Sequence, residues 1–434
     1  MRFLGVGECN DLADLYLRLQ DRGHDVRVRV ADAASHDVLQ GMICRSENTL
    51  EEDLAWVGRG REGGIVLFEG VGHGPLQSQL RAGGWNVIGG SELGDRLEID
   101  RHYGQSVLRE LGFATADTHE FAGFDDAIAF VRHTPRRYVL KFSGVGFSST
   151  RSYVGSLGDG SDVLAMLIHQ RRRWAYAEVP RVVVMDHVQG VEVGVGAFFN
   201  GRTFLRPANL DWEHKKFFPG DLGELTGEMG TVVSFENADK LFDATLGRLT
   251  SRLREAQHVG YVNLNMIVNA EGTWPLEFTC RFGYPGFAIL SALHVEPWDE
   301  MLLRLVLGND QPFATYPGFS VGVVLTVPPF PYPDGYERLS KGMPICFAND
   351  LTEQDRQSLH YGEVGLEGDQ LVTAGQIGYT MVVTGRGASL DEARDAAYSV
   401  VAKVAVPNVR YRSDIGARLA TRDRSIMQEL GWLP

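Results

Sequence analysis

Glu277, Thr279 and Arg281 occupy alternate positions at the end of an apolar run, Leu276-Glu-Phe-Thr-Cys-Arg281. In an extended strand that spacing puts all three side chains on one face. A carboxylate, a hydroxyl and a guanidinium converging there could hold a divalent cation and the phosphates it bridges. The same residues suit a half-buried hairpin with a polar face, and the pattern alone leaves both readings open. Residues 260–284 read as such a hairpin: a strand over 261–268, turn chemistry in Asn269-Ala-Glu-Gly272, and a second strand over 273–280.

A second group of residues points the same way. Lys141 closes an apolar strand at 138–142, and Ser143-Gly-Val-Gly-Phe-Ser-Ser-Thr-Arg151 leads into a strand at 152–154. Glycines and serines let backbone amides approach phosphate oxygens while the lysine supplies a point charge, although a plain flexible hairpin has the same composition. Glu192 interrupts the strand that follows the one at 181–188, either as an edge residue or as a ligand for ribose hydroxyls. Residues 209–232 read as a long loop rich in glycine and charge, of the kind that is often functional. Arg101 reads as an exposed arginine on a helix over 92–111.

The elements that must position these residues follow the chain. The opening is strand–helix–strand, with Gly5-Val-Gly7-Glu-Cys-Asn10 after the first strand as a partial phosphate-loop fingerprint. Strands and helices alternate to about residue 95, which predicts a doubly wound sheet. An amphipathic helix is expected over 238–256 and an apolar helix over 289–307. A third unit opens near 317, with strands at 321–327 and 379–384, a helix at 390–402 and a helical tail from 418. At 434 residues the chain has room for two to four domains. Its net charge of −14 argues against an electrostatic hold on nucleic acid or anionic membrane. Four scattered cysteines without CxxC spacing fit a reduced, cytoplasmic protein, and no apolar run approaches a membrane span. A dinucleotide oxidoreductase would rest on Gly5-x-Gly7 alone.

Taken in order, Arg101, Lys141, the 143–151 loop, Glu192, the 223–230 loop and the Glu277 hairpin resemble the ATP-grasp fold, and within it the phosphoribosylamine–glycine ligase family. Gly223-Glu-Leu-Thr-Gly-Glu-Met-Gly230 resembles that family's G-P-N-T-G-G-M-G, and Leu276-Glu-Phe-Thr-Cys-Arg-Phe-Gly-Tyr-Pro285 its L-E-F-N-C-R-F-G-D-P. His360-Tyr-Gly362 is similar to H-A-G and Tyr411-Arg-Ser-Asp-Ile-Gly416 to Y-R-x-D-I-G. The resemblance implies an α/β and α+β multidomain chain. Its parts would be a doubly wound N-terminal domain over 1–95, an ATP-grasp domain over 96–317 with a lid at about 118–190, and a small α+β domain over 318–434.

The implied activity is an ATP-dependent carboxylate–amine ligation through an acyl-phosphate, with ATP and Mg²⁺ or Mn²⁺ as cofactors, small-molecule substrates, and a monomer or homodimer. Arg101, Lys141, Ser143, Gly144, Gly146 and Ser148 would contact the ATP phosphates. Met185, Asp186 and His187 would line the adenine, and Glu192 would hold the ribose. Glu277, Thr279, Asn263 and Asn265 would form the metal site, and Arg281 would face the transferred phosphate. Gly7, Glu8, Thr226, Gly227, Met229, Gly230, Tyr284, Arg412 and Asp414 fall at substrate positions. Departures cluster there: Glu224 and Leu225 replace proline and asparagine, Tyr284 replaces aspartate, and Asn263 and Asn265 stand where related ligases carry a metal-binding acid. Two alternatives follow: a ligase repurposed for another amine and amino acid, or a nucleotide-binding protein without catalysis.

Overall fold

The computed structural model describes residues 1–60, 63–143, 152–173 and 181–434, with Ser143 described by its backbone. The N-terminal unit is a parallel five-stranded sheet in the order β3-β2-β1-β4-β5. Its strands are β1 (Arg2–Gly7), β2 (Asp25–Val30), β3 (Cys44–Arg45), β4 (Ile65–Phe68) and β5 (Asn86–Ile88). β4 is buried at every position, as a central strand covered by helices on both faces must be. The helices Ala13–Asp21, Leu50–Val57 and Gly74–Ala82 provide the crossovers. This is the doubly wound sheet expected from the alternation.

The helix predicted over 92–111 is two helices, Glu92–Ile99 and Arg101–Glu110. Asp100 leaves helical geometry (φ −94°, ψ 89°), and its carboxylate accepts the Tyr103 amide at 3.0 Å. The break is an N-cap, which the apolar spacing on either side conceals. Arg101 therefore opens a helix instead of riding on the middle of one, and it is half-buried rather than exposed.

A four-stranded sheet in the order β6-β9-β7-β8 follows. It consists of β6 (Thr118–Phe121), β7 (Tyr138–Ser143), β8 (Tyr153–Val154) and β9 (Arg181–Asp186). Helices Phe124–His133 and Ser161–Arg173 pack on it through their own core of Phe124, Ile128, Val131, Leu140, Val163 and Val184.

The chain then adds β10 (Val191–Asn200), β11 (Asn209–Glu213), β12 (Lys216–Phe218), β13 (Leu222–Leu225), β14 (Gly230–Ser234), β15 (Val259–Asn269), β16 (Gly272–Thr279) and β17 (Phe319–Thr326). After it come β18 (Cys346–Phe347), β19 (Leu359–Tyr361), β20 (Val364–Glu367), β21 (Gln370–Thr373) and β22 (Tyr379–Gly387). Eight of these form one antiparallel sheet, β16-β15-β10-β11-β14-β17-β22-β19. The stretch 209–232, expected as a loop, thus supplies four strands. Leu210 and Trp212 face the apolar core while Asn209, Asp211 and Glu213 alternate with them. A strand with so polar a second face has the composition of a loop.

Two further helices are also broken. The 238–256 segment bends through Thr245 (φ −129°, ψ −93°) into Asp239–Ala244, a 3₁₀ turn at Leu246–Leu249, and Thr250–Glu255. The 289–307 segment is Gly286–Ser291 and Trp298–Val306, the second entered through Pro297. Among the described residues no helix is long and apolar enough to cross a membrane.

Candidate active site

The hairpin β15–β16 sets the site. Asn265 pairs with Glu277 and Asn263 with Thr279, and the row continues through Gly194 and Gly196 of β10 to Asp211 and Asn209 of β11. Registered neighbours share a face, so the sheet presents one polar surface. The two glycines are needed for space: a Cβ at Gly194 would lie 2.0 Å from Asp211 Oδ1, and one at Gly196 1.8 Å from Tyr261 Oη. Asn263 Nδ2 donates to Asp211 Oδ2 at 2.6 Å and Asn265 Nδ2 to Glu213 Oε2 at 3.1 Å.

Lys215 is the centre of this surface. Its Nζ lies 2.9 Å from Glu192 Oε1, 2.9 Å from Glu277 Oε1 and 3.1 Å from Glu213 Oε2. Burial works against the ammonium, but the three carboxylates outweigh it and hold the Lys215 pKa well above its usual value. In return Lys215, with Lys141 and Arg101, holds the Glu277 carboxyl well below the usual carboxylate range. The Arg101 guanidinium is 3.7 Å from Glu277. Lys141 is pushed down to about 8 by burial and by the neighbouring Arg101. Arg101, Lys141, Leu276, Glu277 and Glu98 line one cavity of about 250 Å³. Arg281 is tied to its rim, with Nε 3.0 Å from Glu98 Oε1, while the Cys280 amide donates to Glu98 Oε2 at 2.8 Å.

The structure thus brings Arg101, Lys141, Glu192, Asn263, Asn265, Glu277 and Thr279 together. Met185 reaches the group through its sulfur, 3.8 Å from Arg101 Nη1. Asp186 and His187 instead line a separate cavity of about 660 Å³ with the hairpin tip at Asn269–Glu271, and Asp186 is paired with Arg136 at 2.6 Å. Thr226 is anchored to the Lys215 carbonyl, the Met229 amide donates to His214 O, and Gly227 lies beside the Tyr379 hydroxyl. Gly230 opens β14. Gly7 packs on Glu69, exposed Glu8 lies 3.8 Å from His73, and the Tyr284 ring meets Tyr379 at 5.2 Å. Arg412 and Asp414 form a knot with Asp221: Arg412 is 1% exposed and binds both carboxylates at 2.8–2.9 Å. The expectations on Gly144, Gly146, Ser148 and the Ser143 side chain lie outside the described residues.

Sequence reasoning missed Asp211, Glu213 and Lys215. Their alternation, Asp211-x-Glu213-x-Lys215, is the period-2 signal that could have revealed them. It also missed Glu228, a buried carboxyl that accepts the Thr231 hydroxyl. Among the described residues no group of three or more His, Cys, Asp or Glu is arranged to hold a metal by itself. The oxygens that fit a hard cation are the Glu277 carboxylate and two buried acceptors without partners, Asn265 Oδ1 and Asp211 Oδ1. The Asn263 amide nitrogen is committed to Asp211.

A sheet of this kind, beside the small four-stranded sheet and a cavity lined by Lys141 and Arg101, is the arrangement of an ATP-grasp protein. The model of the phosphoribosylglycinamide synthetase ATP-grasp (A) domain matches residues 99–287, and that of the C domain of the same synthetase matches 320–418. The chain belongs to the phosphoribosylglycinamide synthetase family, whose members are ATP-using carbon–nitrogen ligases. A phosphoribosylamine–glycine ligase of Halalkalibacterium halodurans is 25% identical over 358 residues, 80% of this chain and 79% of that protein. One from Streptomyces coelicolor is 28% identical over 353 residues, covering 79% and 80%. The crystal structure of the Thermotoga maritima phosphoribosylamine–glycine ligase superposes with a TM-score of 0.70 at 21% identity, covering 96% of this chain and all of that one. The biotin carboxylase domain of a Hydrogenobacter thermophilus carboxylase, solved with MgADP, has the same fold, with a TM-score of 0.65, 10% identity, and coverage of 98% and 97%.

Proposed function

We propose that this ligase joins an amino-acid carboxylate to an amine at the expense of ATP. The observation that carries the reading is the convergence of Lys141, Arg101 and Lys215 on Glu277, which lines one cavity with Lys141 and Arg101. The carboxylate oxygen attacks the terminal phosphorus of ATP, and ADP leaves. The amine lone pair then attacks the acyl carbon. Its C–O bond breaks, phosphate departs with the electron pair, and the nitrogen loses a proton. Lys141 and Arg101 hold the phosphates, Lys215 supplies a third positive charge to them, and Arg281 faces the acyl-phosphate. Glu277, with Asn265, would hold Mg²⁺, which would supply neutralisation of phosphate charge. Thr279 and Asn263 shape that site from the next row of the sheet. Met185 lines the adenine side, Asp186 and His187 stand in the neighbouring cavity, and Glu192 is the ribose ligand. The division into 1–95, 96–317 and 318–434 goes with this assignment.

Phosphoribosylamine and glycine, the pair in the relatives' names, are the first substrates to test. ADP release with Mg-ATP and this pair, with a mass spectrum of the product, tests the reading. Glycinamide ribonucleotide in the product supports it fully, and ADP with another pair supports a repurposed ligase. The substituted positions Glu224, Leu225 and Tyr284 favour that second reading. No ADP with any acid–amine pair would sink both.

A further inference from the structure

Glu98 lines the same cavity as Lys141 and Arg101, a carboxylate in a wall that offers cations to phosphates. Both of its oxygens are engaged. One accepts the Arg281 Nε–H at 3.0 Å and the other the Cys280 amide at 2.8 Å. The Glu98 side chain is 15% exposed and that of Arg281 27%. Among the described residues Glu98 is the only carboxylate within ion-pair distance of Arg281. The pairing follows from the helix break at Asp100. Glu98 lies in the last turn of Glu92–Ile99, and Arg101 opens the next helix. The two helices hold β16 at successive points: Glu98 takes the Cys280 amide one residue beyond the strand, Arg101 stands 3.7 Å from the Glu277 carboxylate, and Gln105 Nε2 donates to the Leu276 carbonyl at 3.0 Å. The first helix sits close on the strand's end, where a Cβ at Gly94 would lie 3.0 Å from Cys280 Cβ.

Two donors side by side need two acceptors side by side. A carboxylate supplies both; an amide would supply one and turn its own NH₂ against the other donor. Holding the guanidinium through Nε leaves its terminal nitrogens for a ligand. Nη1 makes only a long contact of 3.4 Å with the Phe282 carbonyl, and Nη2 has no partner among the described residues. Those two nitrogens form the fork that fits an oxyanion in two parallel hydrogen bonds. A carboxylate with no such task would only repel phosphates from this wall.

We propose that Glu98 is a positioning residue for the ligation: it fixes Arg281 through Nε so that Nη1 and Nη2 meet the transferred phosphate together, and it keeps that arginine from following the phosphates of ATP. The proposal rests on the ligase reading above. Glu98 touches neither substrate and acts through Arg281 alone.

The test is a double-mutant cycle on the full chain. ADP formation is followed with Mg-ATP, glycine and phosphoribosylamine, or with another acid–amine pair that releases ADP, in the wild type, Glu98→Gln, Arg281→Lys and the double variant. Lysine keeps the charge but has no planar fork, so no geometry is left for Glu98 to fix. Glu98→Gln is expected to lower kcat by ~10- to 100-fold, as a small misplacement of a reacting group does, with KM for ATP unchanged or lower because a negative charge has left the wall. In the Arg281→Lys background the same substitution is expected to change kcat by less than ~2-fold. Two single losses that multiply in the double variant overturn the inference, since Glu98 would then act apart from Arg281. A raised KM for ATP with kcat retained overturns it as well and makes Glu98 a plain staple between helix and strand. Thermal unfolding checks that each variant is folded; should Glu98→Gln not fold, Glu98→Asp, which keeps both acceptors at shorter reach, goes through the same cycle. No ADP from the wild type with any pair removes the ligase reading and the inference with it, whereas wild-type turnover with multiplying losses overturns the inference alone.

Discussion

Lys215 keeps its charge because three carboxylates surround it, and in return it holds the Glu277 carboxyl well below the usual carboxylate range. Replacing it with methionine leaves Glu192, Glu213 and Glu277 facing one another without the cation between them. Lys215→Met is expected to cut ADP formation by ~10²-fold or more, as loss of a positioned charge on a transferring phosphate does; steady-state kinetics would check it, and near-normal turnover would remove Lys215 from the reaction. Lys141 gives a pH dependence of definite sign. Its pKa in the empty enzyme is about 8, so it is charged at pH 7 and progressively neutral above 8. ATP affinity should therefore fall as pH rises through 8, and binding there should take up protons, measurable by calorimetry in buffers of different ionisation enthalpy. Lys141→Ala should flatten that dependence. At this scale Glu277, Thr279, Arg281 and Lys141 were legible because an acid or a lysine in an apolar strand is rare enough to stand out. Lys215 was not, because in a stretch of charge and glycine one more lysine carries no contrast.

At the scale of elements, the polar trough depends on β10 passing beneath Asp211 and Tyr261 without side chains. Gly194→Ala would drive a methyl group into Asp211, an overpacking that costs about 1–3 kcal/mol. The expected outcome is a melting temperature lower by several degrees and weaker nucleotide binding; unchanged values would mean β10 has slack. The long apolar runs of the parallel sheet and the period-2 hairpin at 260–284 could be read directly, since burial on both faces and alternation are local patterns. The helix breaks at Asp100, Thr245 and Pro297 were harder, because each leaves the apolar spacing intact on both sides. The strands at 209–234 were hidden by their own function: the face that holds Asp211 and Glu213 has no apolar residues to mark it.

For the whole molecule, the parts are tied by buried polar links. Arg412 joins Asp414 to Asp221 and to the Lys216 carbonyl. Arg412→Met should destabilise the fold by about 1–3 kcal/mol, because it removes the charge-assisted hydrogen bonds of a buried guanidinium to two partly exposed acids. Denaturant unfolding would read this, and a shift under 1 kcal/mol would show the knot to be solvated. The N-terminal unit is fastened to the C-terminal one by Gln376 on Asp32 and by the Leu39 amide on Val364. These links join residues more than 300 positions apart, and no local pattern announces them.

The shared sheet has a consequence for how such a chain could be shortened or shuffled. β14 pairs with β11 on one side and β17 on the other, and all five of its residues are buried. A chain ending near 317 would leave that strand as a bare, apolar rim with its amides and carbonyls open. Such a fragment is expected to join itself rim to rim, so the last quarter of the chain serves as the cover of that strand.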